Sequence, residues 1–85
     1  MEINHVQIAL DFHACSTQQK KIFFYHLDSL NWEAVNPETL WITNLLNEEG
    51  VIEKIEKELI FAKTISSIEK VDYVIITDDE VYFSK

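Results

Sequence analysis

The stretch "VQIALDFH", residues 6–13, is where the fold is decided. Val6, Ile8, Leu10 and Phe12 alternate with Gln7, Ala9, Asp11 and His13, the period of a strand that lays one face on a core. The alternation predicts a strand over residues 3–13. It also puts Asp11 and His13 on the row away from the apolar one, close to the strand's end. There Asp11 is either a carboxylate with chemistry to do or a polar residue on a solvated face.

Working outward, "STQQ" at 16–19 has the Ser-x-x-Gln spacing of a capping box and predicts a helix running to about Leu30. Ile22, Phe23, His26, Leu27 and Leu30 recur on one face of it at helical spacing. The segment "NWEAVNPETLWITNL" reads as a hairpin, with strands at 32–35 and 40–45. Its turn is Asn36-Pro37-Glu38-Thr39, since proline presets the backbone of the second turn position. A second helix is predicted from Asn47 to about Ile65, burying Ile52, Ile55, Leu59 and Ala62, with Gly50 weakening its first turn. "VDYVIIT", 71–77, is apolar on both faces, as a central strand is. "VYFSK" supplies a short last strand.

The order β-α-β-β-α-β plus a terminal strand gives an α+β fold. With short connections it leads to a ferredoxin-like βαββαβ sandwich with an additional short C-terminal strand, one domain over 1–85. Both helices would cover one side of the sheet. The other side would carry Gln7, Ala9, Asp11 and His13, together with Tyr73 and Ile75 or with Val74 and Ile76, and one tryptophan. An uncovered apolar area of that size marks an interface, and a homodimer through this face or through the terminal strand is expected.

Composition narrows the partners. Fifteen acidic residues face seven basic ones, for a formal charge of −8, and every base is a lysine. Arginine, the residue of bidentate phosphate and base recognition, is absent, and a negative field repels a polyanion. Direct nucleic-acid binding is therefore expected to be weak or absent, and a basic protein is the easier partner. No apolar run has the length of a membrane span, residues 1–7 lack the pattern of a signal peptide, and Cys15 is a single cysteine. On these features a cytoplasmic protein with no membrane partner is expected.

Three segments carry a family resemblance: "LDF" at 10–12, Thr39-Leu40-Trp41 opening the third strand, and Asp72-Tyr73-Val74-Ile75-Ile76 opening the fourth. In their order they resemble the small CRISPR-associated integrase-partner family, also called CRISPR endoribonuclease-like, with its virulence-associated-protein-D-like relatives. The resemblance implies a ferredoxin-like homodimer whose fifth strand often pairs onto the partner subunit. In active members, aspartates matching Asp11 bind a divalent metal across the dimer axis for phosphodiester cleavage. Other members bridge integrase subunits on DNA. The chain departs from the family in the arginine-free loop "HACSTQQKK", in the glycine-free turn "SLNW" and in lacking a basic surface. These departures bear against nuclease and DNA-scaffold roles more than against the fold.

The candidate residues follow. Asp11 is the candidate catalytic and metal residue, with Mg²⁺ or Mn²⁺ as the ion if the chain is a nuclease, and with no other cofactor. His13 is a candidate general base or simply a hydrogen-bond partner of Asp11. Glu48, Glu49, Glu53, Glu56 and Glu58 line the second helix as a phosphate-like array or as an ordinary solvated face. With Tyr82 and Phe83 they form the candidate partner-binding set. Asp78 and Asp79 read as a turn. The first functional reading is a homodimeric scaffold or partner in nucleic-acid-related defence or mobile-element biology. The alternative is an acidic, phage-type inhibitor that occupies a nucleic-acid-binding protein by charge mimicry.

Overall fold

The computed structural model describes residues 3–36, 38–46, 50–78 and 80–84. Strand β1 (Ile3–His13) leads to helix α1 (Thr17–Ser29) and the hairpin β2 (Glu33–Asn36) and β3 (Leu40–Leu46). Helix α2 (Val51–Ile65) then precedes β4 (Lys70–Ile76) and β5 (Val81–Phe83). The five strands form one sheet in the order β2-β3-β1-β4-β5, and every neighbouring pair is antiparallel. The fold is thus α+β, as the pattern requires. Because β5 extends the sheet beyond β4, the strand order is not the classic four-stranded ferredoxin-like one.

β1 is central because β3 and β4 pair with its two edges, its apolar row turned to the helices and its row of Gln7, Ala9, Asp11 and His13 turned away. Ile8 lies between Trp41 of β3 and Ile75 of β4, which puts those three residues on the same face. Val6, Ile8, Leu10, Trp41, Val71 and Ile75 are all buried there, packed with Phe23 and Leu27 of α1 and Ile55, Leu59 and Ala62 of α2. Phe12 continues the row and meets Phe23 and Phe24 edge-on at 5.2 and 5.4 Å between ring centres. Phe24 in turn stacks on Trp41 at 5.8 Å. Both tryptophans are therefore in the core layer, and neither joins the uncovered side of the sheet as expected. Ile22, expected on the buried face of α1, sits at its rim and is partly exposed.

The helix ends show how the sequence sets element length. Ser16 accepts from the Gln19 backbone N–H at 3.1 Å, and the Gln19 side chain accepts from the Ser16 N–H at 2.8 Å, completing the capping box. Gln19 also donates to the Ser67 carbonyl at 2.8 Å, tying the start of α1 to the end of α2. Both helices stop in a Schellman arrangement. At α1, Trp32 N–H donates to Leu27 and Asn31 N–H to Asp28; at α2, Ile68 donates to Lys63 and Ser67 to Thr64. Asn31 and Ser67 hold the left-handed positions, with φ of 65° and 57°. The α2 start differs from expectation. Its N-cap is Gly50 at φ 86°, not Asn47, so the glycine shapes the entry instead of weakening a helical turn. Asn47, Glu48 and Glu49 lie outside the described residues.

The hairpin turn closes with Thr39 N–H donating to the Asn36 carbonyl at 2.9 Å, and the Asn36 side chain accepts from Glu38 N–H at 3.3 Å. Ala34 pairs with Trp41 and Asn36 with Leu40, leaving Val35 as a bulge that twists this edge strand. No helix among the described residues is long and apolar enough to cross a membrane.

Candidate functional site

The face of the sheet away from the helices is read off the same registers. Ala9 lies between Leu40 and Val74, and Gln7 between Ile42 and Ile76. Val81 and Phe83 of β5 oppose Ile76 and Val74 and so belong to this face. Of the two alternatives for β4, Val74 and Ile76 line the open side, while Tyr73 and Ile75 face the helices. Val81 is 52% and Phe83 69% exposed, beside half-buried Leu40, Ile42, Val74 and Ile76. The result is an apolar surface that no helix among the described residues covers.

One end of that surface is acidic. Asp11 and His13 project from β1 two residues apart, and Asp72 of β4 is the cross-strand neighbour of Asp11. His13 Nε2 is 2.7 Å from Asp72 Oδ2 and 3.6 Å from Asp11 Oδ2. A carboxylate offers only acceptors, so the Nε2 proton is donated to Asp72. One ligand atom from each of the three residues lies within 4.8 Å of the others, as metal ligands do. The side chains are 76%, 42% and 46% exposed for Asp11, His13 and Asp72, so an ion or substrate could reach them without any rearrangement of the core. The His13 hydrogen bond holds the Asp72 carboxyl below its ordinary value; desolvation opposes it, and the Lys70 charge adds a smaller lowering. Ser84 Oγ adds a longer contact to Asp72 Oδ1 at 3.4 Å.

Asp11 and His13 are thus brought together as expected, and the partner of His13 is Asp72 more than Asp11. Asp72 was legible as the opening residue of a strand, but nothing in the local spacing joins it to a residue 61 positions earlier. Only the antiparallel pairing of β1 with β4 does so.

The partner-binding candidates are dispersed. Glu53 is exposed on α2. Glu56 is half-buried and accepts from the Tyr73 hydroxyl at 2.8 Å, and burial followed by this carboxylate pushes the tyrosine up to about 12. Glu58 Oε2 is 3.5 Å from His26 Nε2, a buried nitrogen that lacks a hydrogen bond and whose ring lies 4.8 Å from Phe61. Two of the three described glutamates of the array are therefore engaged within the domain. Tyr82 points to the helix side, packs against the core and donates to Glu80, while Phe83 points to the open side. At the far end of the open face His5 Nδ1 meets Asn44 Oδ1 at 2.5 Å. Cys15 is a half-buried free thiol.

No family model matches the chain, and neither a curated protein nor a solved structure matches it.

Proposed function

We propose that this chain is an interaction protein that works as a homodimer, of the CRISPR-associated integrase-partner-like kind, serving as scaffold or partner in nucleic-acid-related defence or mobile-element biology. The observation that carries this reading is the uncovered apolar sheet face around Ala9, Ile42, Val74 and Phe83. A domain of 85 residues leaves little apolar burial to spare, and a second copy is the commonest cover for such a face. The connectivity of the first four strands supports the ferredoxin-like part of this reading, while β5 pairs with β4 of its own chain and not with a partner subunit. Each helical crossover passes over one intervening strand, β1 to β2 across β3 and β3 to β4 across β1, so that β1–β4 read as a ferredoxin-like set with β5 appended.

Sedimentation of the full chain at tens of micromolar tests this. A dimer is expected for the parent chain, and for Val74→Glu and Ile42→Glu a folded monomer with native circular dichroism and a cooperative but lower melt. A parent chain that stays monomeric at high concentration removes the proposal.

A second reading is a metal-dependent phosphodiesterase acting through Asp11 with Mg²⁺ or Mn²⁺. It is favoured by the meeting of Asp11, His13 and Asp72 at a solvent-facing strand end. Cleavage of RNA or DNA that needs the ion and disappears in Asp11→Asn supports it. No cleavage with either ion ends it.

A further inference from the structure

We infer that Asp11, His13 and Asp72 of a single chain bind one divalent transition ion of the zinc type, and that this is not an all-oxygen magnesium site. The inference rests on reading Asp11 as a metal ligand. It needs neither phosphodiester cleavage nor a dimer.

The first argument is donor chemistry. The atom lying between the two carboxylates is an imidazole nitrogen, 2.7 Å from one oxygen and 3.6 Å from the other. Mg²⁺ takes oxygen ligands and keeps its waters, whereas imidazole suits zinc and its neighbours in the first transition row. The second argument is spacing. Donors at zinc bond lengths in a tetrahedral site stand about 3.3 Å apart. The two measured separations bracket that value, and all three atoms already fall within 4.8 Å. To become three ligands, His13 Nε2 and Asp72 Oδ2 must part by about 0.6 Å and the two carboxylates must close from within 4.8 Å, movements open to exposed side chains, with the fourth position left to solvent.

The third argument is rigidity. Asp11 and His13 share one strand, and Asp72 faces Asp11 across the β1–β4 ladder, which stays paired to its end at His13 and Lys70. The backbone therefore presets the ligand geometry, and little ordering is left for binding to do. The ion takes the place of the Nε2 proton, which moves through solvent to Nδ1, so the imidazole stays neutral. Ser84 Oγ at 3.4 Å is placed to steady the far oxygen of Asp72, as outer-shell partners do.

The test is titration of chelator-stripped full chain with ZnCl₂, MnCl₂ and MgCl₂ by calorimetry, with Co²⁺ as a spectroscopic probe. One Zn²⁺ per chain is expected, held in the presence of millimolar Mg²⁺, with the intense visible absorption of four-coordinate Co²⁺. Affinity should fall at least tenfold in His13→Ala and in Asp72→Asn, and should be unchanged in Asp78→Asn and in Ile42→Glu, which lies farther along the face opposite Gln7. Half an ion per chain, displacement by Mg²⁺, binding indifferent to His13→Ala, or binding lost in Ile42→Glu each overturn the inference. The first and last of these indicate a site shared between copies. Sedimentation in the presence of chelator reads the dimer separately, so failure of one proposal is not failure of the other.

Discussion

At the scale of single residues, two titrating groups give the domain's stability a defined pH profile. Asp72 is held below the usual carboxylate range, first by the His13 hydrogen bond. The unfolded chain then takes up a proton at a higher pH than the native one does. Its contribution is full above the usual carboxylate range and is lost as pH falls through the lowered native value. Tyr73 has the opposite sign: burial and Glu56 raise it from 10 to about 12. Its contribution is intact below 10 and is lost as pH rises toward 12. Thermal melts across pH should therefore show an acid limb that Asp72→Asn flattens and an alkaline limb between 10 and 12 that Tyr73→Phe flattens. A limb unchanged in its variant refutes that assignment. The acid limb also shows what the chain order hides. Asp11 and His13 are visible as neighbours on one row of a strand, whereas Asp72 enters the cluster only when the register puts it opposite Asp11.

At the scale of elements, what the sequence discloses depends on whether a cap uses side chains or backbone. The start of α1 is legible because Ser16 and Gln19 carry the capping box in their side chains. The hairpin is legible because Asn36, a turn-forming residue, closes its turn through both side chain and carbonyl. The ends of both helices and the start of α2 are not, because they rest on left-handed backbone at residues that do not announce it. Asn31 and Ser67 stand where glycine is usual, and Gly50, which looks like a weak helical residue, is the entry point instead. This asymmetry has an energetic consequence at Ser67, a residue with little liking for φ 57°. An L-residue in that region is disfavoured by roughly 1–2 kcal/mol. Glycine escapes that strain but gives up roughly 0.5–1 kcal/mol through the freer unfolded chain. The side chain of Ser67 is exposed, while its carbonyl, the acceptor for Gln19, is retained by glycine. Ser67→Gly should therefore stabilise the domain by about 0.5 kcal/mol, a rise of roughly 2–4 °C in melting temperature. A lower melting temperature in calorimetry would mean that the left-handed position is not strained.

At the scale of the whole molecule, charge and apolar surface oppose each other, and their balance separates self-association from capture of a basic partner. Each chain carries a formal −8. Two copies meeting at the sheet face bring like charges together while burying apolar area on both sides. The apolar term is indifferent to moderate salt. The repulsion is not, because charges are screened over about 30 Å at 0.01 M ionic strength and about 8 Å at 0.15 M. Homodimerisation should therefore tighten as NaCl rises from 20 to 500 mM, with the dissociation constant from sedimentation equilibrium falling severalfold. An acidic inhibitor seated in a basic groove has the reverse dependence, since salt screens the attraction that holds it. Two of the described α2 glutamates are already engaged, Glu56 with Tyr73 and Glu58 beside His26. That leaves the mimic fewer free charges on this helix than the sequence alone advertises. The comparison needs one protein and one variable. Self-association that strengthens with salt and vanishes in Val74→Glu assigns the interface to the sheet face. Self-association that weakens with salt, or that persists in Val74→Glu, removes the sheet face as the place where copies meet.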